Sequence, residues 1–257
     1  MELIDTHCHL NDPRFSEDYE QVIARSLAAG VRALVVVGYD LDSSRAAVKL
    51  AGEHEAVFAA VGVHPHDARA ADRDTLRTIA RLATDPRVVA VGESGLDFFR
   101  DLSPRDTQRR AFSDFIKLAA DIDKALIVHS RDADEEVIEI LGETMATGQR
   151  VVRHCFAGGP ETAAAGAALG CHIGIAATIT YPKSEDIRAA AAAAPAHLIV
   201  LETDCPWLPP QSHRGKRNEP AMIVDTADAV AECRGLTRAQ VAAQTSANAR
   251  NLYRMRD

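Results

Sequence analysis

Six side chains able to hold a cation stand just beyond short apolar runs spread through the whole chain: His7, His9, Glu93, His129, His154 and Asp204. His7 and His9 lie two apart in Asp5-Thr6-His7-Cys8-His9. Alternate residues of a strand share a side, so both imidazoles can aim at one point. Asp5 has the same parity and could orient one of them. Each of the other groups has a plainer reading by itself. Glu93, between Gly92 and Gly95, could be a solvated loop acid, His129 or His154 a hydrogen-bonded histidine, and Asp204 a helix cap. Together they read differently, because six of the ten histidines (7, 9, 64, 66, 129 and 154) follow strand candidates. Four imidazoles and two carboxylates suffice for two divalent ions about 3.5–4 Å apart. Nitrogen and oxygen donors without thiolate suit Mg²⁺, Mn²⁺ or Zn²⁺ and do not choose among them. A carboxylate such as Glu93 can bridge two cations, which a neutral imidazole cannot.

The elements that must carry these groups are legible as apolar runs. They are Leu3-Ile4, Ala33–Val37, Val57–Val61, Val88–Val91, Ala125–Val128, Val151-Val152, His172–Ile175 and Leu198–Leu201. Several are continuous rather than alternating, as expected of strands covered on both faces. Helical patterns lie between them. Tyr19, Val22, Ile23 and Leu27 form one apolar stripe, ended by Gly30; Phe112, Phe115, Ile116 and Ala119 form another, and Val137, Ile138 and Leu141 a third. Ser103-Pro104-Arg105-Asp106 reads as an N-cap and first turn, and Thr237 to Gln240 as a capping box. The alanines from 189 to 194 read as an exposed or lightly packed helix end. Eight strands with intervening helices, in 257 residues, predict a (β/α)₈ TIM barrel occupying 1–257 as one domain. An open doubly wound sheet is the alternative, but no G-x-G-x-x-G follows a strand.

Composition narrows the setting. Hydrophobic residues make up 47% and aromatic ones 5%, so alanine and aliphatic side chains must fill the core. A net charge of −8 argues against a broad electrostatic grip on nucleic acid. It leaves open a site whose bound cations reverse the local sign. Five cysteines without a C-x-x-C pair read as free thiols in a reducing cytoplasm. Cys8, Cys155 and Cys205 adjoin proposed ligands and read as small buried residues. No signal peptide and no membrane-spanning run is evident, and a monomer is the plain default.

Several motifs, in order, resemble those of the TatD-type deoxyribonucleases. They are Asp5-Thr6-His7-Cys8-His9-Leu10, Val61-Gly62-Val63-His64-Pro65-His66, Gly92-Glu93-Ser94-Gly95-Leu96-Asp97-Phe98, His129-Ser130-Arg131, His154-Cys155-Phe156-Ala157-Gly158 and Glu202-Thr203-Asp204-Cys205-Pro206-Trp207-Leu208. Arg214 to Pro220 is similar to their next motif, and the resemblance runs from residue 5 to about 252. Ser94 and Ala125 depart from it where the family often has an apolar residue and a proline, and neither is a candidate ligand. The resemblance implies a TIM barrel of the amidohydrolase-like superfamily. It implies one metal held by His7, His9 and Asp204, a second held by His129 and His154, and Glu93 bridging them. It further implies 3′-to-5′ exonuclease action on single-stranded DNA.

The expected chemistry is phosphodiester hydrolysis by a metal-activated water, with Asp204 as general base and Glu93 as the other catalytic carboxylate. His64 and Arg131 are candidates for gripping the phosphate; pairing with a nearby carboxylate is their alternative. His66 reads as a cap of the following segment, and Glu202 could bind an additional cation or simply support Asp204. The basic loop at His213, Arg214, Lys216 and Arg217 could steer a strand or simply be solvated. The same ligand set also serves amide, lactone and phosphoester hydrolysis. A small-molecule amidohydrolase or phosphoesterase is therefore the competing reading. A carbamylated lysine often bridges the metals in that superfamily, and Glu93 in its place favours the nuclease.

Overall fold

All eight apolar runs become parallel strands in the computed structural model of the protein, which describes residues 2–255. The strands are β1 (Leu3–Cys8), β2 (Val31–Val37), β3 (Val57–Val61), β4 (Val88–Asp97), β5 (Ala125–Arg131), β6 (Val151–Arg153), β7 (His172–Ile175) and β8 (Ile199–Leu201). They neighbour one another in chain order. The helices are α1 (Tyr19–Ala28), α2 (Leu41–Glu53), α3 (Arg73–Leu82), α4 (Arg105–Asp121), α5 (Asp134–Thr144), α6 (Pro160–Ala168), α7 (Glu185–Ala193), α8 (Ile223–Arg234) and α9 (Arg238–Tyr253). This is the expected TIM barrel. The first and last strands meet through individual bonds: Thr6 Oγ1 donates to Leu201 O (2.9 Å), Asp204 N to His7 O (2.9 Å) and His9 N to Cys205 O (2.8 Å).

The core has two layers. One packs Ile4, Val35, Val37, Ala60, Ala90, Ile127, Val152 and Val200 against Leu252, Tyr253 and Met255 at the end of α9. The other seals the strands to their helices and includes Phe112, Phe115, Ile116 and Ala119 of α4 and Val137 and Leu141 of α5. Small residues on strands leave little room to fill, which is how the fold closes with few aromatic side chains.

Four local expectations need correction. β4 and β5 continue past their apolar stretches, so Glu93 and His129 lie inside strands rather than after them. Leu27 is 38% exposed and leaves the apolar face of α1, although Gly30 does take the left-handed conformation (φ 97°) beyond it. Ser103 does not cap α4; its hydroxyl donates to His66 O (2.7 Å), and Pro104 occupies the cap position. The alanine run is half buried: Ala190 and Ala191 pack inward. The Thr237–Gln240 capping box forms as expected. A depression lined by Leu141, Met145, Gly148, Arg150, Gly170 and His172 opens beside the N-terminal ends of β6 and β7. Among the described residues no helix is long and apolar enough to cross a membrane.

Candidate metal centre

The C-terminal ends of the strands bring all six sequence-nominated ligands to one place. Glu93 stands at its centre with its two oxygens facing different groups. Oε2 lies 3.4 Å from His7 Nε2 and 3.9 Å from His9 Nε2. Oε1 lies 2.8 Å from His129 Nδ1 and 2.7 Å from His154 Nε2. Asp204 joins the first group, with Oδ1 3.4 Å from His9 Nε2 and 3.8 Å from His7 Nε2.

Local backbone chemistry places these groups. The β1 register is irregular between Asp5 and Cys8, and that of β4 between Val91 and Ser94, so each irregularity falls at a ligand. Gly95 (φ 151°) lets β4 pass close to β5, because a Cβ there would collide with His129 O. Asp204 takes the left-handed conformation (φ 54°), which aspartate tolerates better than most residues. Behind it, Asp5 Oδ1 accepts from Thr203 N (3.0 Å) and His7 N (3.3 Å), and Asp5 Oδ2 from Thr203 Oγ1 (2.6 Å). Asp5 thus orients backbone on both sides of the seam rather than an imidazole ring. Burial pushes its carboxyl up to about 8.

The ring nitrogens converge in pairs. His7 Nε2 and His9 Nε2 are 3.0 Å apart, and His129 Nδ1 and His154 Nε2 are 3.2 Å apart. His9 Nδ1 donates to Val37 O (2.9 Å) and His129 Nε2 to Asp97 Oδ2 (3.2 Å). In the neutral rings those outward bonds leave His9 Nε2 and His129 Nδ1 as bare acceptors facing the site, while His7 Nδ1 and His154 Nδ1 have no hydrogen-bond partner among the described residues. Burial opposes ionisation of Glu93, but His154 and His129 outweigh it and hold the carboxyl well below its ordinary range. Burial likewise opposes ionisation of Asp204, and His9 and His7 hold it low. Burial disfavours charge on His129 and His154, yet carboxylates raise both: Asp97 and Glu93 for His129, Glu93 and Glu202 for His154. His7 falls through burial and its neighbour His154. The donor set and its electrostatics fit divalent cations.

His64 enters the cluster differently. Its Nδ1 accepts from His66 N (3.1 Å), and its Nε2 lies 3.5 Å from Glu93 Oε1 and 3.3 Å from His129 Nδ1. Burial takes it down to about 3, so it is neutral at ordinary pH. A neutral ring that accepts at Nδ1 carries its proton at Nε2 and presents a donor, not a lone pair, to the site. His64 is thus the residue that caps the next segment. His66 instead sends Nε2 to Asp97 Oδ2 (2.9 Å). Arg131 is exposed at the rim and stacks on Phe99, 4.0 Å from the ring centroid; among the described residues no carboxylate pairs with it. The basic loop is partly neutralised, because Arg217 binds Asp18 (2.6 Å) and Glu219 (3.0 Å).

Three supports of the site emerge from the structure: Asp97 and Asn218, given no role by the sequence, and Glu202, whose partner differs from the expected one. Asp97 holds both His66 and His129, and its signal in the sequence was its place in the motif from Gly92 to Phe98. Glu202 supports His154 rather than Asp204: Oε1 lies 3.7 Å from His154 Nδ1 and also accepts from Cys155 N. Gly174 makes room for it, since a Cβ there would collide with the carboxylate. Asn218, fully buried, donates to Thr203 O (2.8 Å) and Trp207 O (2.7 Å) and so pins the loop that carries Asp204. The cysteines are all free; Cys8 and Cys205 are buried and Cys155 partly so.

Known proteins resemble the chain over nearly its whole length. The sequence profile of the TatD related DNase family matches residues 4–254. The metal-dependent hydrolase YabD of Bacillus subtilis is 36% identical over 253 residues, covering 98% of this chain and 99% of that protein. The 3′-5′ ssDNA/RNA exonuclease TatD of Escherichia coli is 35% identical over 256 residues, covering 98% of each. The crystal structure of YjjV, a TatD homologue from Escherichia coli, superposes with a TM-score of 0.93 at 30% identity, covering 99% of this chain and 98% of that one. The strand-end cluster and these likenesses agree, and the chain belongs to the TatD related DNase family of metal-dependent hydrolases.

Proposed function

We propose that this enzyme is a 3′-to-5′ exonuclease on single-stranded DNA. It would act as a single-domain monomer in the cytoplasm, using two divalent ions of the Mg²⁺, Mn²⁺ or Zn²⁺ type. The observation that carries this reading is the division of Glu93, whose Oε2 faces His7, His9 and Asp204 and whose Oε1 faces His129 and His154. His7, His9 and Asp204 would hold one ion, His129 and His154 the other, and Glu93 both. Ions held there ease the deprotonation of water and offset charge on phosphoryl oxygens. The name of the Escherichia coli relative supports the polarity and the single-stranded substrate.

The protein's own groups divide the remaining work. The Asp204 side chain is 15% exposed against 5% for Glu93, so it is the carboxylate a water can reach. It takes the proton of the attacking water. His64 donates a hydrogen bond from Nε2–H to a phosphoryl oxygen, and its neutrality keeps that donor constant across ordinary pH. Arg131, with no carboxylate of its own, binds a neighbouring phosphate. Asp97 and Glu202 hold the outer edges of His129 and His154, which fixes ring orientation.

The test is to strip the protein with a chelator and return Mg²⁺, Mn²⁺ or Zn²⁺ singly, with a 5′-labelled single strand as substrate. A metal-dependent ladder of shortened products, absent with Asp204→Asn, is expected. Protein that binds two ions yet cleaves only a small phosphoester or amide would move the assignment to the competing reading.

A further inference from the structure

The barrel mouth carries aromatic surface that the metal chemistry does not use. Four large hydrophobic side chains are exposed among the described residues: Leu27, Phe99, Leu102 and Trp207. Leu27 belongs to α1, and the other three sit in loops that follow β4 and β8 at the strand ends bearing the metal centre. We propose that Trp207 and Phe99 are stacking platforms for nucleobases on the two sides of the scissile phosphate. The proposal rests on the nuclease reading and adds to it the subsites for the bases.

Position is the first argument. The Trp207 ring meets the His9 ring edge-on, with centroids 5.0 Å apart and planes at 78°. His9 belongs to the group facing Glu93 Oε2. Phe99 lies two residues after Asp97, which anchors His129, and Arg131, two after His129, covers one of its faces. His129 belongs to the group facing Glu93 Oε1. Each platform therefore adjoins a different half of the centre.

Rigidity is the second. Arg14 lies 4.5 Å from the Trp207 ring centroid and is itself fixed by Asp12 through bonds of 2.8 and 3.0 Å. Asn218 holds the Trp207 carbonyl. Each ring is thus backed by a guanidinium and still offers surface to solvent, 39% for Trp207 and 56% for Phe99. Leu102, 57% exposed in the same loop as Phe99, extends that apolar surface.

Chemistry is the third. A ring presented to water beside a phosphate-directed site suits a flat apolar partner, and every base has such a face. Bases inside a duplex are already stacked on each other, so the platforms favour an unpaired strand. They also explain how a chain of net charge −8 holds a polyanion: contact with bases substitutes for the basic surface it lacks.

Trp207 is the sole tryptophan, so its fluorescence reports the site directly. The holoenzyme is titrated with a short phosphorothioate oligothymidylate, and with an abasic strand of the same length and backbone. Binding is followed independently by anisotropy of labelled strands. Quenching of Trp207 by the thymidine strand, with the abasic strand binding roughly tenfold or more weakly, is expected. Phe99→Ala should weaken the thymidine strand about tenfold while the quench persists at saturation. Equal affinity for the two strands, or binding without a quench, overturns the platforms and leaves the nuclease reading standing. Failure of both strands to bind overturns the nuclease reading and the platforms with it.

Discussion

Glu202 Oε1 lies 3.7 Å from His154 Nδ1, at the opposite edge of the ring from the Nε2 that meets Glu93. His7 stacks on His154 with ring centroids 4.0 Å apart and planes at 15°. One nitrogen of each ring and one Glu202 oxygen fall within 4.8 Å of one another. If both rings ligate through Nε2 beside Glu93, a further cation here would need them to ligate through both nitrogens, hence as imidazolates. A neutral ring that offers Nε2 to a cation keeps its proton at Nδ1, and Glu202 is the acceptor that such a proton needs.

Glu202→Gln should therefore weaken metal binding about 10- to 100-fold, measured by competition with a chelator. Gly174→Ala, which pushes the carboxylate aside, should move affinity in the same direction. Unchanged affinity in both variants would reduce Glu202 to an acceptor for the Cys155 amide.

Glu93→Gln keeps the shape of the central side chain and loses its charge. Elemental analysis of the purified variant should find fewer than two ions per chain. Two ions retained at wild-type affinity would remove Glu93 from the bridging position.

Asp204→Asn should lower the hydrolysis rate about 10²–10⁴-fold, the range of a lost general base, with the circular dichroism spectrum unchanged. A rate near that of the parent enzyme would transfer the proton-accepting role elsewhere.

Loss of the His64 donor in His64→Gln is expected to reduce kcat about 10²–10³-fold while metal content stays at two. Loss of an ion instead would make His64 a ligand.

Far from the centre, burial lowers His172 from 6.5 to about 4. Between those values the unfolded chain takes up a proton that the folded one refuses, so acid favours unfolding. The contribution is complete above pH 6.5 and is lost progressively as pH falls toward 4. His172→Asn should lose less stability than the parent protein across that window, read from urea midpoints at several pH values.

What could be read from the sequence, and what could not, divides by physical type. The His7 and His9 pair, His129, His154 and the eight strands were visible because apolar runs and imidazoles stand out from their surroundings. The full extent of β4 was not, since Gly92-Glu93-Ser94-Gly95 is polar and glycine-rich and looks like a loop. The site itself buries that polarity, so the rule that strands are apolar fails where function needs it to fail. Asp97 was hidden for the same reason. Asn218 and the true partners of Glu202 were hidden because they are distant in sequence: Glu202 meets Cys155, and Asn218 reaches back to Thr203. Leu27 and Ser103 were misread because helical periodicity and capping patterns describe an isolated helix, while neighbouring elements decide what is covered.

The seam between β1 and the residue that follows β8 sets a condition on when the enzyme can exist. His7 and His9 are made first, and Asp204 is synthesised 195 residues after His9. The Asp204 amide bonds to His7 O, so the backbone contact that joins the two ends also delivers the last ligand. A chain cut short before Asp204 would hold five of the six candidate ligands and lack both that carboxylate and the bond that ties it to β1, so on the function proposed above it would be unable to hydrolyse its substrate.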